Sequence, residues 1–567
     1  MTVAESLADL WPWPAAVSRD PDLDRALSYL GRPETSETVR ALGYVLAPTT
    51  AALALVVGAV ALSPLPALLV ALGVGLGTTK LVHCLPLVAA AMARSRALGA
   101  ATSLFGRVAL RMRVEPSPER AAAFAARTDD GALARSLARH VRRSEATPQT
   151  GLAAFAAAWA EWFPELERAA SHVASAAAAP PDDRDRSLDR ALEVVREGTR
   201  RRAATFAEEI RGPATGLYAF GVLLPLAVVG VLPAARVAGL GVGLPHLVAV
   251  YDLLLPLALV VAGGRLLVKR PVAFPAPRVG RSHPDVPDRR FPAVGVGVGG
   301  AVAAALLGTT LVGAWAAPLG ALGAGVGSGL VVHYHPVTAV RDRVREIESG
   351  LDDALAQVGH RVSEGVAVER ALAEVADDAP DATGRVLGDA VAVQRRLRTS
   401  VREAFLGEHG ALDAVPSPRA RSAAALLALA ADEGRPAGAA LVAASDHLRS
   451  VRRVEREGRR ELAAVTGTLA STAAFFGPLA AGGSVALVDG VGHEAGGTES
   501  FGQALSTAGV GQAVGVYVLL LAVVLTVLST GLERGLDPAR VGYRVGLALV
   551  AATTTYLSAV VAAGLLV

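Results

Sequence analysis

The chain has 567 residues, of which 52% are hydrophobic and only 19% charged, below the roughly one quarter charged of ordinary soluble domains. A formal net charge of +3 and a single cysteine, Cys84, argue against a nucleic-acid binder and exclude an internal disulfide or a multi-thiolate zinc site. Apolar windows alternate with two windows dense in charge, which excludes both a uniformly soluble protein and a compact channel made only of membrane helices.

Taken in chain order, residues 1–42 place Glu5, Trp11 and Trp13 ahead of any long apolar run. That is no secretory signal, and the segment is expected to be cytoplasmic. A membrane span needs about 20 apolar residues. Windows 43–62 and 66–87 supply a first transmembrane hairpin within 43–92. Residues 93–212 then form a cytoplasmic helical domain carrying about 20 arginines. Windows 213–232 and 248–267 make the second hairpin, 213–267. A basic linker, 268–290, follows with Lys269, Arg270, Arg278, Arg281, Arg289 and Arg290. Windows 291–314 and 318–335 make the third hairpin, 291–335, and 336–464 is a second helical domain, again with about 20 arginines. Windows 465–488 and 508–530 complete the fourth hairpin, 465–530. A loop, 531–545, holds Arg534, Arg540 and Arg544, and 546–567 is a ninth and final span. The expected fold is all-α: a polytopic membrane protein with nine transmembrane helices and two cytoplasmic helical bundles.

Charge orients it. The basic segments all fall on one side, whereas 490–507 holds Glu494 and Glu499 but no Lys or Arg, and Arg236 is alone among basic residues on that side. The positive-inside rule makes the basic side cytoplasmic and the C-terminus external, in the cell membrane.

Within the second charged window, Leu351, Leu355, Val358 and Val362 repeat with helical spacing. Ser349 followed by Asp352 predicts a capping box at the start of that helix, and Gly365 its end. Pro180-Pro181-Asp182-Asp183 and Pro416-Ser417-Pro418 predict breaks between helices. The layout repeats at an offset of about 250–260. Glu119-Arg120-Ala121 matches Glu369-Arg370-Ala371, and Arg196-Glu197-Gly198 matches Arg456-Glu457-Gly458. Ala219-Phe220-Gly221 with Leu224-Pro225-Leu226 matches Ala474-Phe475-Phe476-Gly477-Pro478-Leu479. Two hairpins per half are an even number of crossings, so the duplication is parallel, unlike inverted transporter repeats.

Catalytic motifs are wanting. The only lysines, Lys80 and Lys269, are followed by Leu81 and Arg270, so neither sits in a phosphate-cradling Gly-Lys-Ser/Thr loop and no ATP binding is expected. Gly295, Gly297 and Gly300 fit G-x-G-x-x-G but lie inside a span, where they read as helix packing. Ser328 between two glycines has no histidine base on another span at its depth, and the histidines include no H-E-x-x-H pair. Lys80, Asp252 and Arg265 sit near span ends and read as interfacial anchors. No cofactor, metal or catalytic residue is expected.

The arginine clusters remain. Arg200-Arg201-Arg202 and Arg452-Arg453 with Arg459-Arg460 are juxtamembrane and suit anionic headgroups. Arg395, Arg396, Arg398 and Arg402 lie mid-domain. The spacing of Arg395, Arg398 and Arg402 predicts one shared helix face, either solvated or docked on an acidic partner.

Leu351-Asp352-Asp353-Ala354-Leu355, then Arg361-Val362-Ser363-Glu364-Gly365, then Val368-Glu369-Arg370-Ala371-Leu372 resembles the helix, Ser-x-Gly turn, helix opening of type II secretion system F domain proteins. The likeness covers about 93–230 and 336–490, and the outer spans by layout. The first domain departs from it, with Pro116-Ser117-Pro118 in place of the turn formed by Ser363, Glu364 and Gly365. The layout is most similar to archaeal pilus-type and archaellum-type members. The resemblance implies a non-enzymatic membrane platform. Its partners would be a cytoplasmic secretion or pilus ATPase, pilin-like subunits and the lipid bilayer; a homodimer is left open and no nucleic acid is implied. The alternative is a multi-pass transporter with regulatory cytoplasmic helical domains, which Leu224-Pro225 and Leu255-Pro256 would serve as helix breaks. A membrane enzyme ranks third.

Overall fold

The computed structural model describes residues 18–61, 64–128, 131–144, 150–237, 243–270, 279–280, 283–287, 289–379, 381–433, 435–494 and 506–565. Glu5, Trp11, Trp13, Arg278, Arg281, Glu499 and Val567 lie outside them. The regular secondary structure of the described residues is all helical, without a strand. A short α1 (Pro21–Leu30) leads into a hairpin of α2 (Ser36–Ala61) and α3 (Pro64–Leu98). Six helices follow: α4 (Ala101–Val114), α5 (Pro118–Arg127), α6 (Ala132–Ser144), α7 (Gly151–Trp159), α8 (Glu165–Ala178) and α9 (Pro181–Tyr218). Next come α10 (Leu224–Val237), α11 (Leu244–Val248), α12 (Leu255–Val268) and α13 (Arg290–Leu311). The second charged window holds α14 (Ala317–Ser363), α15 (Val368–Asp378), α16 (Ala382–Leu397), α17 (Val401–Leu406), α18 (Pro418–Glu433) and α19 (Arg435–Ser471). The chain closes with α20 (Gly477–Glu494), α21 (Thr507–Arg534) and α22 (Pro538–Gly564).

Among the described residues, nine helical segments are long and apolar enough to cross a membrane, and each contains the bulk of one apolar window. That is the character of a multi-pass membrane protein. Their shared core is formed by α9–α12, α19–α22 and Leu319, with Tyr517, Leu525 and Leu532 fully buried. The α2–α3 hairpin and α13 lie outside this core and expose rows of large apolar side chains, Leu76 and Phe291 among them.

Two further cores lie beyond the spans. One gathers 97–195 around Phe105, Phe155 and Phe163, with the Trp159 indole donating to Ser136 Oγ at 3.0 Å. The other gathers 351–444 around Leu355, Val375 and Phe405. Burying each such side chain contributes about 1.5–3 kcal/mol. The two cores touch: Leu110 of α4 belongs to the second, and α4 and α9 both pack on α19. Gly106 permits this approach, because a Cβ there would overlap the buried His447 ring.

Two helix boundaries differ from the sequence expectation. Ser349 starts nothing: α14 runs unbroken for 47 residues, with Ser349 Oγ donating back to the Glu346 carbonyl at 2.6 Å. Buried Val340, Val344 and Ile347 extend the apolar stripe upstream of Leu351, so the helix has no reason to restart there. Second, the helix containing Asp252 starts at Leu244 and not at the window edge at 248, so Asp252 lies about two turns inside it.

The predicted breaks at 180–183 and 416–418 are present, since Pro181 and Pro418 begin α9 and α18, whereas the break candidates Pro225 and Pro256 are absorbed. The residues before Pro225, Pro256 and Pro478 form π-turns, Ala219–Leu223, Ala249–Leu254 and Thr472–Phe476, and the helices continue. Proline lacks the N–H for the preceding turn, and a π-turn is one way to accommodate that loss.

Candidate functional site, an arginine-lined chamber

The turn at 363–365 is built as its sequence suggests. Gly365 adopts φ +99°, a conformation that favours glycine, and the Gly365 and Val366 N–H groups return to the Val362 and Arg361 carbonyls at 3.0 and 2.9 Å. Ser363 Oγ donates to the Gly359 carbonyl at 2.9 Å, and Glu364 is the C-terminal cap of α14. The turn closes a helix pair and presents no reactive constellation. In the first bundle, Ser117 instead caps α5, accepting the Arg120 N–H at 3.4 Å.

The mid-domain arginines do not share a helix face. Arg395 and Arg396 end α16, Arg398 caps it in a left-handed conformation at φ +50°, and Arg402 lies on α17. Ser400 is responsible: its hydroxyl accepts the Glu403 N–H at 3.3 Å and starts a new helix. All four side chains are exposed, and only Arg402 reaches a concave surface.

That surface is a chamber of about 1400 Å³, where the two bundles meet the helix ends of the membrane core. Ser28 and Tyr29 of α1 form one edge. Arg96 and Arg107 enter from α3 and α4, and Arg127, Arg135 and Arg139 from α5 and α6. Across the space stand Arg341, Arg345 and Glu348 of α14, with Arg402, Arg419 and Arg421 from α17 and α18. Glu455 and Arg459 of α19 and the 534–540 segment complete the wall. Thirteen arginines thus face three carboxylates, Glu348, Glu455 and Asp537.

The carboxylates are occupied. Arg419 pairs with both Glu348 and Glu455. Burial disfavours the charge of Arg419, but Glu455 and Glu348 outweigh that and hold its pKa above the ordinary value. Ser417 Oγ donates to Glu348 at 2.7 Å. Arg341 grips Asp537 bidentately at 2.6 and 2.8 Å. Burial pushes the Asp537 carboxyl up, but the Arg341 bonds and the N–H groups of α22 leave it below the usual carboxylate range.

The floor is held by arginines that cap the end of α21. Arg270, beside the chamber, donates to the Gly531 and Glu533 carbonyls at 2.7 and 3.2 Å, and burial lowers its pKa to about 10. Arg96 donates to the Leu536 carbonyl at 3.0 Å.

Of the clusters assigned to lipid headgroups, Arg202 instead donates to the Trp162 carbonyl and Glu165 and lies over the Phe163 ring. Arg452 pairs with the buried Asp352. Each of the two ties helices within its own bundle. Ser328 and the glycines at 297 and 300 form a packing seam between α13 and α14, Ser328 Oγ donating to the Gly325 carbonyl at 3.2 Å.

The chamber itself could not be found from sequence, because it draws arginines from elements hundreds of residues apart. The one available signal was the weight of arginine in both charged windows. The chain matches no protein-family model, no curated protein and no solved structure.

Proposed function

We propose that this chain is the non-enzymatic membrane platform of a type IV pilus-like or type II secretion-like machine. In this reading the two charged bundles are cytoplasmic, recruit a secretion ATPase, and pass its motion to pilin-like subunits in the membrane. The observation that carries it is mechanical: α9, α14 and α19, of 38, 47 and 37 residues, run without interruption from the bundles into the apolar core. At 1.5 Å per residue these are struts of roughly 55–70 Å. A displacement at the bundle end is transmitted along such helices to the membrane.

The parallel duplication belongs to this reading. Support comes from the recurrence of a π-turn before a proline, at Ala219–Leu223 and again at Thr472–Phe476, each entered from a long bundle helix. Arg395, Arg396 and Arg398 remain exposed for ATPase docking, with Arg402 at the chamber edge. Cross-linking in native membranes followed by affinity purification should recover a secretion ATPase. Replacing the four arginines by Gln should reduce its recovery and filament assembly at unchanged platform abundance. Recovery of no ATPase from the wild-type chain overturns the reading.

A transporter has one observation in its favour. Asp252 lies in a π-turn inside a span, with Oδ1 buried and unpartnered among the described residues. Solute flux that depends on Asp252 in reconstituted vesicles would establish it.

A further inference from the structure

The chamber has a chemical need that the platform reading does not meet. Its three carboxylates are already bonded to Arg419 and Arg341, whereas the side chains of Arg127, Arg139, Arg402 and Arg421 line the same space with no hydrogen bond or ion pair among the described residues. A sphere of that volume is about 14 Å across, less than two Debye lengths at physiological ionic strength. Screening therefore leaves opposite walls coupled, and the arginines act as one concentrated positive field. Nearby, the Tyr29 hydroxyl is buried and also lacks a hydrogen-bond partner among the described residues. A carboxylate satisfies one or two guanidinium forks, whereas a phosphate group with several charged oxygens can be shared among forks from different walls.

We propose that the chamber binds a phosphate-bearing anion carrying two or more negative charges, held by Arg127, Arg139, Arg402 and Arg421. The four come from both bundles, two from α5 and α6 and two from α17 and α18. Occupancy would neutralise the field and fix one bundle against the other. The same chemistry has two sources. Arg534 closes α21 four residues beyond the apolar window ending at 530, about 6 Å, a depth within the polar headgroup layer of a bilayer. A lipid headgroup can thus reach this end of the chamber, and a free polyphosphate can enter from solution. The inference is independent of the platform reading, since it concerns ligand binding by the purified chain alone.

The test uses the full chain in two arms. Native mass spectrometry from bilayers containing a phosphomonoester lipid counts retained lipid. Calorimetry on delipidated protein measures tripolyphosphate binding. R127Q/R139Q/R402Q/R421Q should weaken binding about tenfold or more in the arm that carries the natural chemistry, as expected for lost charge-assisted bonds. R395Q/R396Q, outside the chamber, should leave it unchanged. The responding arm identifies the source. Should the quadruple variant fail to fold, R127Q and R421Q singly should each weaken binding about twofold to fivefold. Equal binding by wild type and the chamber variants in both arms, or no binding in either, overturns the proposal.

Discussion

Helices α3 and α14 carry nearly the same words in nearly the same place. Ala71-Leu72-Gly73-Val74-Gly75-Leu76-Gly77-Thr78 lies 250 positions before Ala321-Leu322-Gly323-Ala324-Gly325-Val326-Gly327-Ser328. The middle glycine does the same job in both. A Cβ at Gly75 would lie 3.0 Å from Ala51 Cβ of α2, and one at Gly325 would lie 2.7 Å from Ala301 Cβ of α13. The outer pair differs. Gly323 and Gly327 receive α22, where a Cβ would overlap Thr553 in the first case and lie 2.8 Å from the Gly546 carbonyl oxygen in the second. Gly73 has nothing within 4 Å, and Gly77 only Leu257 at 3.8 Å. Small residues spaced four apart permit close approach of backbones, but the contact forms only where the chain supplies a second helix.

This contrast yields the largest expected effect. Gly327→Leu should destabilise the protein by about 3 kcal/mol or more, since the obstruction is backbone that cannot swing aside. Gly73→Leu should leave stability within about 0.5 kcal/mol. Thermal melting of both variants in one detergent checks the pair. Equal losses would erase the distinction between the two grooves.

A second close approach joins the bundles rather than the spans. Gly106→Val should cost about 2–3 kcal/mol, because the added carbon meets the His447 ring at the α4–α19 contact. Hydrogen exchange over 101–114 and 440–450 should rise together while exchange in 368–378 stays slow. Uniform change across both bundles would instead mean that they unfold as one unit.

These two sites also mark how far the sequence could be read. Apolar length alone locates all nine candidate spans, because crossing hydrocarbon demands it of each segment separately. Gly365 announces its own turn for the same local reason. Local rules mislead where a neighbouring signal competes. Ser400 breaks the arginine face at 395–402, and the stripe through Val340, Val344 and Ile347 carries α14 past Ser349. The chamber depends on packing between α1, α3–α6, α14, α17–α19 and the 534–540 segment, and no window of sequence contains that information.

Within the chamber Arg341 is paired with Asp537, and the Arg421 side chain has no partner among the described residues. Arg341→Ala should cost about 2 kcal/mol, below the 3–5 kcal/mol for breaking a fully buried pair because Asp537 keeps partial exposure. Arg421→Gln should cost less than about 0.5 kcal/mol. The Asp537 carboxyl is held below its unfolded pKa. Its contribution is therefore fully present above the ordinary carboxylate range and is lost as pH falls through the lower folded value. Melting temperature should drop below about pH 4, and Asp537→Asn should flatten that drop. An unchanged acid limb in the Asn variant would assign the loss to other carboxylates.

The smallest effect lies at the π-turn that precedes Pro225. Pro225 has no N–H to give the Gly221 carbonyl one turn back. The Tyr517 hydroxyl, fully buried on α21, donates to that oxygen instead, while Tyr251 donates to the Pro225 carbonyl. The two tyrosine rings meet edge to face at 5.4 Å. In an apolar core the freed carbonyl finds no water, so Tyr517→Phe should cost about 1 kcal/mol. Pro225→Ala supplies the missing N–H and should recover most of that loss when combined with Tyr517→Phe, though it gains little in the wild-type background. Melting temperatures of the two single variants and the double variant close the cycle. Additive effects would mean that Tyr517 stabilises through its ring packing on Tyr251, and that the carbonyl at Gly221 is satisfied without it.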